Sequence, residues 1–597
     1  MQFDDAEALA DDIIREVGKT IVLALPLGIG KANHVANALY ARAVADPAID
    51  LCIFTALTPE VPKPSSDLER RFLDPFLKRV FGGYPALAYA EAAHAGRLPP
   101  NVEVNEFFFL AGRWLSVPSA QRNYISANYT HAQSYILARG VNVVAQLVAK
   151  RVTGGETRYG LGGNTDITLD LLKARQAGKI DFKFIGQVNS EMPFMPGAGD
   201  LSAEVFSHVL DSPATDFPLF SAPKEPISLA EYATGFHIAR LIADGGTLQI
   251  GIGQIADAAV KTLILRHRDN ATFARIVAAL SPDAGSDPLH HDAPFDEGLY
   301  GVSEMFVEAF LELVKAGILK REVDGVLLHA AFFLGTRGFY RSLREMDAAS
   351  LAKLRMTAIS FTNDLYGDEA TKRRQRVRAR FVNNAMMVTL LGAVVSDALE
   401  DGRVVSGVGG QYNFVAQAFE LEEARSIIAL KSTRGSGRKL VSNILWSYGH
   451  ETIPRHLRDI VVTEYGVADL RGKSDRDVIA AMLSVADSRF QPGLLKRAKA
   501  SGKIEADYEI PPAQRQNTPE RIAAALGDAA AVGLLPAFPF GSDFTATEER
   551  LLEPLQMLKS ASPAGLAALA LGGLFGPAPD AADGRALERL GLDRPRT

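Results

Sequence analysis

Apolar and polar positions along this chain switch repeatedly between the period of a strand and the period of a helix. The apolar run Thr20 to Leu25 ends in Gly28-Ile29-Gly30, and a helical stretch continues to about Ala45. The same order recurs at TLQIGIGQIADAAVKTLIL, where Ile255, Ala259, Val260, Leu263 and Ile264 return at helical spacing after Gly251-Ile252-Gly253. A third unit is RVVSGVGGQYNFVAQAF at 403 to 419. Strand, glycine turn and amphipathic helix in that order predict βα units of parallel sheets, an α/β fold with open sheets.

At 597 residues the chain exceeds what one hydrophobic core organises, so two large domains are expected. The segment DSPATDFPLFSAPKEPIS at 211–228 lacks periodicity and is rich in Pro and Ser, which places a boundary near 225. PPAQRQNTPER marks another near 510, followed by Ala- and Leu-rich helical stretches. The expected units are therefore 1–225, 226–510 and a helical appendage at 511–597.

A net charge of -6 gives no general attraction to nucleic acid or to an anionic membrane, and the expected partner is a small molecule. The single cysteine, Cys52, sits in an apolar run and is read as a core residue. The N-terminal MQFDDAEALADDIIREV carries acids where an export signal carries bases, and the late apolar stretch 563–575 is short for a membrane span. A cytoplasmic location is the expectation.

Gly251-Ile252-Gly253-Gln254-Ile255-Ala256 fits the GxGxxA pattern, in which glycines let backbone N–H groups approach phosphate, but such a turn also serves simply to pack a strand on a helix. Gly407-Val408-Gly409-Gly410 makes a second loop of backbone donors. Gly28-Ile29-Gly30-Lys31 lacks the first glycine of a phosphate loop, and neither GxSxG nor HExxH occurs. Ser303 reads as an N-cap and Glu304 as the opening of a helix that aligns Phe306, Phe310 and Leu313. There the helix dipole would hold Glu304 ionised, whereas Glu304, Glu308 and Glu312 also describe an ordinary solvated stripe. His290 and His291 read as part of a solvated loop, against a metal or acid-base role, and Lys372, Arg373, Arg374, Arg376, Arg378 and Arg380 as a solvated strand edge, with the phosphates of a ligand as the competing reading of that run.

Taken together, IGQVNSEMPFMPG at 185–197, GTLQIGIGQIADAAV at 246–260, GVSEMF at 301–306, DGRVVSGVGGQYNF at 401–414 and VVTEYGVADLRGKS at 461–474 resemble the acetyl-CoA hydrolase/transferase family. The resemblance implies two related CoA-transferase domains with a site between them, and a homodimer. It implies Glu304 as the nucleophile, passing an acyl group through an acyl-glutamyl anhydride and a glutamyl-CoA thioester. Gly251, Ile252, Gly253, Gln254, Ile255, Ser406, Gly409, Gly410 and Lys431 would contact coenzyme A, a substrate here; no metal or resident cofactor is expected. The separation between the glycine turn and Glu304 exceeds the family's, so 266–296 reads as an insertion beside the site. An acyl-CoA hydrolase using the same glutamate, a nicotinamide-dependent dehydrogenase and a noncatalytic CoA-binding module are the competing readings.

Overall fold

The computed structural model describes residues 1–281, 287–561, 565–566 and 580–593. It contains two large open sheets. The first draws its nine strands from residues 2–210, and its parallel strands lie in the order Gln2–Phe3, His208–Leu210, Lys183–Val188, Val143–Thr153, Thr20–Ala24, Asp50–Thr55, Val102–Glu106. The second has eight strands in the order Leu354–Met356, Leu328–Phe333, Tyr300–Phe306, Thr247–Ile250, Arg380–Asn384, Arg425–Ala429, Ile460–Thr463, Gly466–Asp469. Only the last of these eight runs antiparallel to its neighbour.

Burial on both faces explains the continuous apolar composition of these strands, for a parallel sheet is covered by helices on either side. Leu248 and Ile250 are buried, as are Gln249 between them and Thr247 before them. The helix Leu229–Leu241 starts at a reciprocal capping box of Ser228 and Glu231 and packs along the helix Gln254–Arg268.

The two sheets are joined by backbone contacts as well as side chains. Thr165 N–H donates to Ala331 O (3.1 Å), Phe333 N–H to Gly163 O (2.9 Å) and Tyr129 N–H to Gly409 O (2.9 Å). The Thr165 hydroxyl lies within hydrogen-bond distance of both Ala331 O (3.0 Å) and Thr357 O (2.8 Å). Each link ties residues 120–200 to a loop or strand of the second sheet.

Several expectations are corrected here. The residues GVSEMF form the strand Tyr300–Phe306, and the helix begins only at Glu308, running to Lys315. Ser303 is therefore not an N-cap: its buried hydroxyl donates to Ile250 O (3.0 Å) on the adjacent strand. The basic run is solvated only in part: Arg373 and Arg374 are exposed and Arg378 is half-buried. Lys372, Arg376 and Arg380 are buried and donate to main-chain carbonyls, Lys372 Nζ to those of Ser360, Asp364 and Tyr366 and Arg380 to those of Leu241 and Glu423 among others. A buried cation surrounded by carbonyl oxygens cross-links loops that have no ladder partner. His290 and His291 are half-buried rather than solvated, and His291 N–H donates to Arg240 O.

Residues beyond 510 pack against both halves. Helix Pro519–Ala531 buries Ile522 and Leu526 against the helices of the second half, and Ile227 N–H donates to Ala537 O (2.9 Å). Phe544 stacks on Phe76 of the first half (4.5 Å between ring centroids). Glu548, fully buried in a helix that spans Ala546–Ser560, pairs with Arg79 and with Arg589.

Burial by itself would raise the Glu548 pKa, but hydrogen bonds from Arg79, the Thr545 backbone and Arg589 outweigh it and hold the group down to about 2. An acid whose folded pKa is depressed adds stability above its unfolded pKa and loses it as pH falls toward the folded value. We predict that melting temperature falls as pH drops from about 4.5 toward 2, and that Glu548→Ala costs about 3 kcal/mol at pH 7 while flattening this pH dependence. Thermal denaturation of the two proteins across pH checks both.

Candidate active site

The cleft lies where strand ends of both sheets converge. In open α/β sheets ligands bind beyond the carboxyl ends of the strands, because loops and helix N-termini gather there. Residues Leu27 and Gly28, Leu57, and Phe107 to Phe109 follow successive parallel strands of the first sheet, and all line a cavity of about 810 Å³. Gly251 and Ile252, Glu304, and Asn383 with Asn384 line it from the second sheet.

Glu304 sits near the carboxyl end of its strand, between Leu328–Phe333 and Thr247–Ile250. Its Oε2 accepts a hydrogen bond from Asn363 Nδ2 at 2.6 Å. The same oxygen would lie 1.7 Å from a Cβ added to Gly410, so only glycine leaves room for the carboxylate there. Helix Gln411–Glu420 starts at Gly410, beside the Glu304 carboxylate, and the Gln411 N–H donates to Val408 O (3.3 Å).

The first half fixes this loop. Phe109 N–H donates to Ser406 O (3.0 Å), and Phe107 and Phe108 press so closely on Gly407 that an added Cβ would fall within 2.7–2.9 Å of them. Beneath lies a buried polar group: Tyr129 donates its hydroxyl to Asp166 Oδ2, and Asn164 Nδ2 donates to the same oxygen (3.1 Å). Lys31, fully buried, donates to Pro26 O (2.5 Å) and Ala56 O (2.6 Å). It therefore anchors a turn and does not act as a phosphate-loop lysine.

Burial raises the Glu304 pKa to about 7; the Asn363 hydrogen bond opposes the rise and the Asp166 charge adds to it. This replaces the expectation of a carboxylate kept ionised by its own helix, since Glu304 is on a strand. Asp166 is itself raised to about 6, by burial first, with the hydrogen bonds from Tyr129 and Asn164 pulling the other way. Burial also lowers the Lys31 pKa, against the pull of Glu106.

The expected contact residues separate into groups. Gly251, Ile252, Ser406, Gly409 and Gly410 share the cavity with Glu304. Gly253, at φ +114, and Gln254 face an adjoining hollow of about 220 Å³ with Lys224, and Gln254 Nε2 donates to Pro226 O (2.6 Å). Ile255 is buried in the core. Lys431 is not in the cavity: its ammonium pairs with the buried Glu231 carboxylate. The segment 266–296 does not border the cavity in its described residues. Arg266 binds main-chain oxygens of Ala239, Ile242 and Ala293, and Asp292 pairs with Arg240, on the helical flank of the second sheet.

Sequence reasoning missed Asn363, Tyr129 and Asp166. Asn363 carries no local signal, standing in the unremarkable FTNDL. Asn164-Thr165-Asp166 after a glycine turn was the one visible hint, three polar residues leading into an apolar helix.

Residues 335–498 match the family model described as acetyl-CoA hydrolase/transferase C-terminal domain. The chain is 27% identical over 322 residues to a 4-hydroxybutyrate coenzyme A transferase of Clostridium kluyveri, covering 53% of this chain and 64% of that protein. It is 26% identical to a butyryl-CoA:acetate CoA-transferase of Anaerostipes caccae, covering 46% of this chain and 62% of that one. These matches span a little under two thirds of the relatives' length. RipA from Yersinia pestis shares the fold with a TM-score of 0.62 at 20% identity, covering 84% of this chain and 98% of RipA. A 4-hydroxybutyrate CoA-transferase from Porphyromonas gingivalis does so with a TM-score of 0.54 at 19% identity, covering 83% and 97%. Residues 335–498 thus carry the C-terminal domain of the acetyl-CoA hydrolase/transferase family, and the chain is similar to the CoA-transferases of that family.

Proposed function

We propose that this protein is a CoA-transferase that moves coenzyme A from an acyl-CoA to a free carboxylic acid, with Glu304 as nucleophile. The observation that carries the proposal is the Glu304 carboxylate set against Gly410 and Asn363 in a cleft walled by both sheets.

Asn363 holds Oε2, which leaves Oε1 as the attacking atom. Attack on the thioester carbonyl forms an acyl-glutamyl anhydride and releases CoA thiolate. The thiolate then attacks the glutamyl carbonyl, giving a glutamyl-CoA thioester and the first carboxylate. An incoming carboxylate attacks that thioester, regenerating thiolate and a new anhydride. Thiolate attack on the new acyl carbonyl yields product and frees Glu304. Each tetrahedral oxyanion needs donors, and in this reading they are the Tyr412 and Asn413 N–H groups in the first turn of helix Gln411–Glu420, since the Gln411 N–H is taken by Val408 O. A pKa near 7 makes Glu304 a more basic nucleophile than an ordinary carboxylate, while half of it stays ionised at neutral pH.

Glu304→Gln keeps the shape and can still accept from Asn363, but its amide is a poor nucleophile. Transfer should fall by on the order of 10³-fold or more. An acid with a raised folded pKa costs stability as pH rises from its unfolded value through about 7. The same variant should therefore melt higher than the parent above pH 7, and the parent's kcat/KM should climb with pH through about 7. A Glu304→Gln protein retaining activity within tenfold of the parent would remove Glu304 from the mechanism.

Incubation with acyl-CoA alone should leave CoA on the peptide bearing GVSEMF, seen as a mass increase. A carboxylic acid should discharge it much faster than water does. CoA release without an acceptor, unaccelerated by any acid, would instead make water the acceptor and the protein a hydrolase.

A further inference from the structure

The cavity has an unusual inventory of polar groups for a site that must receive two carboxylic acids in turn. Its aromatic walls form a chain: Phe107 lies 5.4 Å from Tyr129 and Tyr129 lies 6.0 Å from Phe332, ring centroid to centroid, and all three line the cavity with Glu304. Leu27, Leu57 and Leu334 add aliphatic surface.

Polar side chains around Glu304 bond mainly to one another, and the buried Gln411 Oε1 is an acceptor with no partner. The Tyr129 hydroxyl is bonded to Asp166, Asn363 to Glu304, and Gln411 Nε2 to Asn384 O (2.8 Å). Among the described residues lining the cavity the cations are Lys63 and Arg113. Arg113 bonds Glu60 at 3.1 Å and Lys63 lies 3.7 Å from Glu91, and their side chains are 43% and 72% exposed, which puts both at the solvent edge. The charge that acts on Glu304 is that of another acid, Asp166, which adds to the rise in its pKa.

One wall residue is held in a costly conformation. Leu57 has φ +42, a region that side chains other than Gly, Asn or Asp adopt rarely, at a cost of order 1 kcal/mol or more. Its N–H donates to Phe108 O at 2.6 Å, which fixes the turn beside the Gly407–Gly410 loop. The turn holds an aliphatic side chain against the cavity at a position where glycine would be unstrained.

We propose that the acids exchanged at Glu304 are monocarboxylic acids whose remaining part is apolar, and that Leu57 is a specificity-determining residue for them. This rests on the transferase reading. A CoA thioester must reach Glu304 with its acyl end, so the walls around the carboxylate face the acyl group. A second carboxylate there would be desolvated with no unpaired cation to receive it, and the free Gln411 Oε1 is an acceptor that repels it. An alkyl or aryl group gains from the same walls.

Butyrate, 4-hydroxybutyrate and succinate share a four-carbon chain and differ at the far end, so they isolate this effect as acceptors with one fixed acyl-CoA donor. Butyrate should exceed succinate by about tenfold or more in kcat/KM, with 4-hydroxybutyrate falling between them. From acetate to hexanoate kcat/KM should rise about fourfold per methylene. Leu57→Gly, which relaxes the backbone, should retain the parent's melting temperature or exceed it and should favour bulkier acids such as benzoate relative to butyrate. Succinate or 4-hydroxybutyrate matching butyrate would overturn the substrate class while leaving the transferase intact. An unchanged ranking in a folded Leu57→Gly protein would remove Leu57 from specificity. Failure to transfer CoA to any acid, with no CoA left on Glu304, would overturn the transferase reading itself and this inference with it.

Discussion

The space vacated by the missing side chain of Gly410 is the constraint on which the rest of this site depends. The Glu304 carboxylate occupies it, and no Cβ fits beside the oxygen. That close approach demands that a strand of the second sheet and the start of helix Gln411–Glu420 meet to within a fraction of an ångström. Contacts from elsewhere hold them there: Asn363 grips one carboxylate oxygen, while Phe107 and Phe108 of the first half back the glycine loop. A site assembled this way is preorganised by packing, since no single element contains it.

Burial then sets the chemistry. A carboxylate on a solvated helix would have an ordinary acidity. Enclosed by Tyr129, Asp166 and the glycine loop, Glu304 is raised to about 7, which couples its reactivity to a cost in stability at neutral pH. The hydrogen bonds that zip residues 120–200 to the second sheet offset such costs, as do the buried cations Lys372, Arg376 and Arg380, whose donors close the loops around the strand ends. The segment beyond 510 reinforces the same junction from outside, linking Phe76 and Arg79 on one half to Ile227 and Tyr232 on the other.

The sequence by itself determined the class of fold and the segments that carry chemistry. Apolar runs ending in glycine turns are a local consequence of parallel strands feeding helices, so the turns at 28–30, 251–253 and 407–410 could be read directly, and Gly253 does sit at a φ that favours glycine. The five ordered motifs marked Glu304 because they are contiguous stretches. Only the tertiary structure decided what Glu304 rests on and what surrounds it. A strand buried on both faces has no alternation, so Tyr300–Phe306 could not be told from a helix start when Glu304, Glu308 and Glu312 fell at helical spacing. Charge was misleading for a related reason: whether Arg380 faces water depends on carbonyls of Leu241 and Glu423, far off in sequence, and Lys431 was claimed by Glu231, some 200 residues earlier in the chain. Asn363, Tyr129 and Asp166 join the site across 59 to 175 positions of sequence, counted from Glu304. Local pattern holds no record of such pairings, because they exist only once two sheets have packed with their strand ends together.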